Sequence, residues 1–311
     1  MVFRKETINQ EIDYKKKKIS ISLDTFLYNR LENYLKYLSC GISILQMKIN
    51  DTVLILGSNS FIAKNIITGI PFKQIVCVQK KKQNILKKKN LKYYFFNLQS
   101  SKDLIRIIKK YNFDKVIICA SNNNNSKNLK NDNSEIFFNN TNILLNTLEC
   151  IKFQKKIEII NFTSTEVQKK DKSIYSIAKK TNDDLCKFYE DSYGLKIKNL
   201  VLSNLFGNND LNFNRIVPSL IKNILFKKKI ILNNSSKKLK FIHISQVLKV
   251  ITNKSKYIKK KHLISVNQIK NKILSLMNIK KGLSKKDFEN SFEYNLYETI
   301  NWYTEYFKKK L

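Results

Sequence analysis

Tyr175 and Lys179 stand four residues apart in YSIAKKTNDDLCKFYEDSYG, a stretch whose apolar residues recur at helical spacing and which closes on Gly194, a helix-capping residue. Four residues make one helical turn, so both side chains lie on one face, where an ammonium favours a phenolate and lowers the tyrosine pKa from its ordinary value of about 10. A tyrosine tuned in this way serves as general acid or base on a carbinol or carbonyl. Just upstream, the apolar run IEIINF predicts a buried strand ending at Thr163, Ser164 and Thr165, which puts hydroxyls at a strand end beside the start of that helix. Alone, this spacing in a lysine-rich chain equally describes a solvated helix face. The order of the surrounding elements carries the weight.

Those elements begin with a strand over Thr52 to Leu56, followed by GSNSFIAKNII. A dinucleotide loop needs a glycine for the tight turn, a second where backbone meets pyrophosphate, and a small residue for helix and strand to pack. Gly57, Ser60 and Ala63 occupy those places, and Phe61 and Ile62 open a helix whose N–H groups complete an anion site. Ser60 departs from the pattern by standing a side chain where phosphate approaches. The second strand, QIVCVQ, ends at Gln79 and is followed by three lysines, with no acid to hold a ribose 2′-hydroxyl. Gln79 with Lys80 and Lys81 therefore favours NADP slightly over NAD. KYYFFNL predicts a third strand, DLIRIIKKYNF a helix and DKVIICAS a fourth strand, after which SNNNNSKNLKNDNS is a polar, low-complexity loop.

Strand, hydroxyl cluster, Tyr-x-x-x-Lys helix and the following LKIKNLVLSNLFG together resemble the extended short-chain dehydrogenase/reductase superfamily, in its nucleotide-sugar epimerase, dehydratase and reductase branch. The resemblance covers about residues 50 to 306. It implies that Tyr175 transfers a proton, that Lys179 lowers its pKa and holds a nicotinamide ribose, and that Ser164 hydrogen-bonds the reacting oxygen. Glu166, in Ser164-Thr165-Glu166-Val167, is similar to the carboxylate that assists sugar dehydratases and decarboxylases. Asn97, followed by Leu98, takes the place of the family's adenine-contacting acid, and Ala120-Ser121 that of its Ala-Ala or Ala-Gly pair beside the cofactor. NNTNILLNTLECIK, with Asn140 and Asn146, resembles the family's Asn-rich helix.

In LVLSNLFGNND, Asn204 and Gly207 match the family's Asn-Val-Tyr-Gly, which gives Asn204 a substrate-diphosphate role, while Val201 replaces its arginine. Arg215, opening IVPSLIKNIL, is a candidate diphosphate clamp. KFIHISQV matches the family's Phe-Ile-His segment, in which His243 is expected as a packed strand residue. The closing FEYNLYETINWYTEYF resembles the family's last helix.

The 311 residues suffice for one substantial α/β core and a small second domain, and an apolar share of 42% is ordinary for a globular protein. A net charge of +35 normally points to nucleic acid or an anionic membrane. Here, however, only Arg4, Arg30, Arg106 and Arg215 of the 59 basic residues are arginines, and the lysines are spread over the whole chain. A selected phosphate stripe would use arginine at bidentate sites, so nucleic acid is not the expected partner. Cys40, Cys77, Cys119, Cys150 and Cys186 are odd in number and widely spaced, which suggests free thiols in a reducing compartment. With only His243 and His262 as histidines, no metal site is expected. No membrane span or signal segment is evident, and the expected location is cytoplasm.

The expected fold is α/β: a Rossmann-like doubly wound parallel sheet with a small C-terminal α/β substrate-binding domain. Residues 1 to 46 form an extension with an amphipathic helix around Leu31 to Leu38. Residues 47 to 207 form the NAD(P)-binding domain and 208 to 311 mainly the substrate domain, with about 238 to 262 returning to the first. The expected ligands are NAD or NADP and a nucleotide-sugar substrate, and the expected assembly is a homodimer. A non-catalytic Rossmann protein binding RNA or a protein partner is the alternative, as is a reductase of another small carbonyl compound.

Overall fold

The computed structural model describes residues 49–121, 133–168, 170, 173–230, 232, 235–258, 261–278 and 291–310. The chain divides into Met1–Lys48 and Ile49–Leu311, and only the second unit is described below. The helix expected around Leu31, the polar loop 122–132 and part of the segment before Tyr175 lie outside the described residues.

Six strands form a parallel sheet: β1 (Ile49–Leu56), β2 (Phe72–Gln79), β3 (Leu91–Phe95), β4 (Lys115–Ile118), β5 (Glu158–Ser164) and β6 (Lys196–Leu202), in the order β3-β2-β1-β4-β5-β6. This is the doubly wound order, in which crossover helices cover both faces. The strands are accordingly apolar on both sides. Val53 and Ile55 of β1 point toward helix α1 (Phe61–Gly69), whereas Leu54 and Leu56 point toward α2 (Ser101–Lys110) and the long helices α3 (Asn133–Ile151) and α4 (Ile174–Tyr193). All four side chains are fully buried, each worth about 1.5–3 kcal/mol of transfer free energy.

A second, smaller sheet combines β7 (Asn204–Phe206), β8 (Lys238–His243) and β9 (His262–Ser265), with β8 parallel to β7 and antiparallel to β9. Helices α5 (Ile216–Leu225), α7 (Val266–Met277) and α8 (Phe292–Lys308) cover it around Phe206, Phe241, Leu296 and Tyr303. Between β8 and β9, helix α6 (Ile244–Ile251) returns to the main sheet, where Ile244, Val247, Val250 and Ile251 pack in the core that α1 covers.

Helix α4 shows how local sequence places the chemistry. The Ser173 hydroxyl accepts the Ser176 N–H at 3.1 Å to start it, and Gly194, left-handed at φ 66°, ends it by donating its N–H to the Glu190 carbonyl. Its buried stripe runs through Ala178, Lys179, Asn182, Cys186 and Tyr189. A lysine therefore occupies a core-facing position.

Candidate active site

The loop from Gly57 to Ser60 follows β1 and is shaped by what passes beside it. Gly57 has φ +84°, and a Cβ there would stand 2.5 Å from the Ala120 amide nitrogen and 2.6 Å from its Cα, so only glycine fits. The Gly57 and Ser58 N–H groups both donate to the Val78 carbonyl, at 2.9 and 3.1 Å, and the Ser60 N–H closes the turn onto the Gly57 carbonyl at 3.0 Å. The strand order reverses between β1 and β4. Gly57 and Ala120 thus meet at the crevice where doubly wound sheets take ligands.

Ser60 does not crowd this crevice as expected. It is the N-cap of α1, and its hydroxyl accepts the Ala63 N–H at 3.2 Å, so the side chain is turned into the helix it starts. Phe61 and Ile62 occupy the first turn of this nine-residue helix, where N–H groups have no intrahelical acceptor. A loop without a Cβ at Gly57, leading to two N–H donors at a helix start, fits the pyrophosphate of a dinucleotide.

Gln79 also differs from expectation. It is only 4% exposed; its Oε1 accepts the Ser58 hydroxyl proton at 2.7 Å, and its Nε2 donates to the Lys81 and Gln83 carbonyls at 2.8 and 2.7 Å. Both amide N–H bonds are spent, because burial forces this carboxamide to satisfy itself within the protein. Gln79 staples the Gly57 loop to the segment after β2 instead of reaching a ribose, and Lys80 and Lys81 remain exposed beside it. After β3, Asn97 is exposed, its Oδ1 accepting the Gln99 N–H at 3.3 Å, whereas Leu98 is buried in the core beneath α2.

The hydroxyl cluster and the Tyr175 helix come together at the carboxyl end of β5. Lys179 is 5% exposed, donates from Nζ to the Phe162 carbonyl at 2.9 Å, and lies 5.8 Å from the Tyr175 ring centroid. Burial pulls its pKa down to about 8, against the opposing pull of Asp183. The expected lowering of the tyrosine pKa by Lys179 is corrected: burial lifts the Tyr175 phenol above its ordinary value, the Glu166 carboxylate adds to the rise, and Ser121 and Arg215 oppose it. Removing a phenolate from water outweighs these partners. Ser164 Oγ accepts the Glu166 N–H at 3.2 Å and so starts the 3₁₀ turn Thr165–Gln168.

Two residues outside the expected catalytic set also bear on the site. Ser121, which opposes the rise in the Tyr175 pKa, donates to Asn140 Oδ1 at 2.9 Å, while Asn140 Nδ2 donates to the Ile136 carbonyl at 2.7 Å. Its departure from an Ala or Gly was the available signal. The other is Asp210, which binds the Arg215 guanidinium at 3.2 Å and which no motif marks. Asn204 is exposed and donates to the Lys240 carbonyl at 3.0 Å, tying β7 to β8. Asn146 donates to the Gln99 carbonyl at 2.9 Å. His243 caps α6 through Ser245, and burial pulls its pKa down to about 3, so it is a neutral structural residue.

A concavity of about 560 Å³, lined by residues including Lys261, His262, Asn271 and Lys272, opens on the small sheet; no residue of the Gly57 loop or of α4 lines it. Among the described residues, no group of three or more His, Cys, Asp or Glu side chains is placed to hold a metal ion, and no helix is long and apolar enough to cross a membrane.

Residues 53–261 match the model of the NAD dependent epimerase/dehydratase family. No curated protein matches the sequence. Among solved structures, the fold is similar to UDP-glucose 4-epimerase of Thermotoga maritima with UDP-glucose, at TM-score 0.68 and 15% identity over 82% of this chain and 99% of that one. It is also similar to the Bordetella bronchiseptica enzyme WbmF in complex with NAD+ and UDP (TM-score 0.72, 15% identity, 84% and 94% of the two chains). A third is dTDP-glucose 4,6-dehydratase of Bacillus anthracis with NAD (TM-score 0.67, 17% identity, 82% and 97%).

Proposed function

Because this chain belongs to the NAD dependent epimerase/dehydratase family, we propose that it performs NAD(P)-dependent epimerase, dehydratase or reductase chemistry on a nucleotide-activated sugar, with Tyr175 as its proton-transfer residue. The observation that carries this reading is the placing of Tyr175 and Lys179 on one helix face at the carboxyl end of β5, with Ser164 at that strand's last position. The UDP-glucose and UDP bound by two of the similar structures support a nucleotide sugar as the substrate class.

The cofactor, when bound, supplies the hydride acceptor or donor for a sugar ring carbon. Phe61 and Ile62 would offer N–H groups to its pyrophosphate beside the close approach of Gly57 to Ala120, and Asn97 and Leu98 follow the strand end expected to meet its adenine. Tyr175 takes or returns the proton at the sugar oxygen on the reacting carbon. Ser164 orients that oxygen: toward the Glu166 N–H it acts only as acceptor, so its own O–H is available to donate. Lys179 is fixed by the Phe162 carbonyl beneath the Tyr175 ring, and a bound ribose and developing phenolate both favour its ammonium form. In this reading Glu166 assists a second proton transfer and Asn204 holds the substrate diphosphate, as the matching family motifs imply.

A homodimer in the cytoplasm completes the reading; the free thiols of Cys77, Cys119 and Cys186, all buried, support a reducing location. The test is incubation of the full chain with NAD or NADP and a panel of UDP, dTDP, GDP and CDP sugars, followed by product analysis. Conversion of one sugar nucleotide supports the reading. Turnover only of a small carbonyl compound without a nucleotide would replace it.

A further inference from the structure

We propose that Asp210 is a positioning residue that fixes the Arg215 guanidinium as a recognition group for the diphosphate bridge of a nucleotide ligand. This inference rests on the nucleotide-sugar reading and names a part of the same site.

The pair is asymmetric in a way that suits the role. Asp210's side chain is 1% exposed and Arg215's 38%, so the carboxylate is sealed inside while the guanidinium reaches outward from it. Asp210 is immobilised at every polar atom given a bond. Its Oδ2 takes Arg215 Nη1 at 3.2 Å, its Oδ1 takes the Asn212 N–H at 3.2 Å, and its backbone carbonyl accepts the hydroxyl of Tyr303, a fully buried residue of α8. Burial raises the Asp210 pKa and the Arg215 charge opposes that rise, as expected of a carboxylate whose charge depends on its partner.

Arg215 is the N-cap of α5, and its Cζ lies 5.8 Å from the centroid of Phe61, the first residue of the helix behind the Gly57 loop. The guanidinium thus stands between the cofactor loop and the small sheet, with one N–H spent on Asp210. A planar fork with donors to spare matches a phosphate bidentately, which the surrounding lysines cannot do. The other described arginine, Arg106, pairs with Asp103 on the exposed side of α2 and is not available for this task. Two sources share the chemistry, the diphosphate of the sugar nucleotide and the pyrophosphate of the cofactor, because Arg215 stands at the start of α5 and against Phe61 behind the Gly57 loop.

The test is a double-mutant cycle read by calorimetry on the full chain, with UDP, dTDP and NAD as separate probes. Asp210→Asn keeps the shape and the acceptor for the Asn212 N–H but removes the charge that orients Arg215. We expect Asp210→Asn and Arg215→Gln each to weaken binding of one diphosphate probe by about tenfold, and the double variant to be no worse than Arg215→Gln alone. Arg215→Gln alone leaves a buried carboxylate unpaired, so its thermal midpoint should fall, and Asp210→Asn in that background should restore it. A loss confined to UDP or dTDP assigns Arg215 to the sugar nucleotide; a loss confined to NAD assigns it to the cofactor. Unchanged affinity for every probe that wild type binds, or additive losses in the double variant, overturns the proposal while leaving the nucleotide-sugar reading intact. Failure of wild type to bind any of the three, or GDP, CDP and NADP run beside them, removes that reading as well.

Discussion

Lys179 Nζ donates to the Phe162 carbonyl oxygen at 2.9 Å from a position 5% exposed, and burial pulls its pKa from 10.5 to about 8. This has a definite sign for stability. In the unfolded chain the lysine stays protonated to about 10.4, so between about pH 8 and 10 the folded state binds fewer protons and gains stability as pH rises. Below pH 8 the full cost of a buried ammonium is present.

Lys179→Met should therefore be more stable than wild type at pH 7, by about 1–3 kcal/mol, and the gap should close toward pH 10. Urea denaturation midpoints of both proteins across this range check it. A gap that stays constant or widens with pH would show that the ammonium is not held at a cost.

Gly57 should tolerate no side chain. Gly57→Ala would place a methyl 2.5 Å from the Ala120 nitrogen at φ +84°, a backbone region that itself costs a non-glycine residue about 1–3 kcal/mol. Thermal melts should show a loss larger than that, and cofactor binding should disappear in whatever folds. Normal melting and affinity would contradict the contact between β1 and β4 at this point.

Ser60 should behave as a cap. Replacement by glycine should cost a few tenths of a kcal/mol and leave cofactor affinity unchanged or improved, whereas Ser60→Ala should cost about 1 kcal/mol by leaving the Ala63 N–H without its acceptor. Ser60→Leu should weaken cofactor binding with a melt close to that of Ser60→Ala. Equal affinity in all three variants and wild type would mean that the loop is a turn and nothing more.

Gln79 should matter to the loop more than to cofactor choice. Gln79→Leu removes the bonds to Ser58 and to the Lys81 and Gln83 carbonyls and should destabilise the protein by about 1–3 kcal/mol. NAD and NADP affinities should fall together with their ratio preserved. A changed ratio at unchanged stability would show that the side chain faces the ribose.

How far the sequence was legible follows from how local each signal is. The strands of the main sheet are continuous apolar runs, and α4 carries both its ends in its own residues, Ser173 and Gly194, so each could be placed without tertiary knowledge. Tyr175 and Lys179 share a face by helical period alone. What escaped was set by partners that no local period marks. Gln79 finds Ser58 across 21 residues, and the Asp210 carboxylate meets Arg215 only five residues on but at a spacing that belongs to no helical or strand period, so neither role leaves a pattern in its neighbourhood. The direction of the Tyr175 shift escaped for a related reason: the spacing to Lys179 is visible in the chain, but the burial that outweighs it is a property of the folded packing. Ser60 looked like a lost glycine because a fingerprint records residue types, while the rotamer that turns the hydroxyl onto the Ala63 N–H is a matter of local geometry.

The most direct measurement is turnover of the sugar-nucleotide panel by wild type and Tyr175→Phe, each first shown by calorimetry to bind NAD or NADP. The expected result is conversion of a nucleotide sugar by wild type, with a rate about 10²–10⁴-fold lower in Tyr175→Phe at nearly equal cofactor affinity. Cofactor-loaded wild type that converts no member of the panel, or a Tyr175→Phe variant that keeps most of the activity, would contradict it.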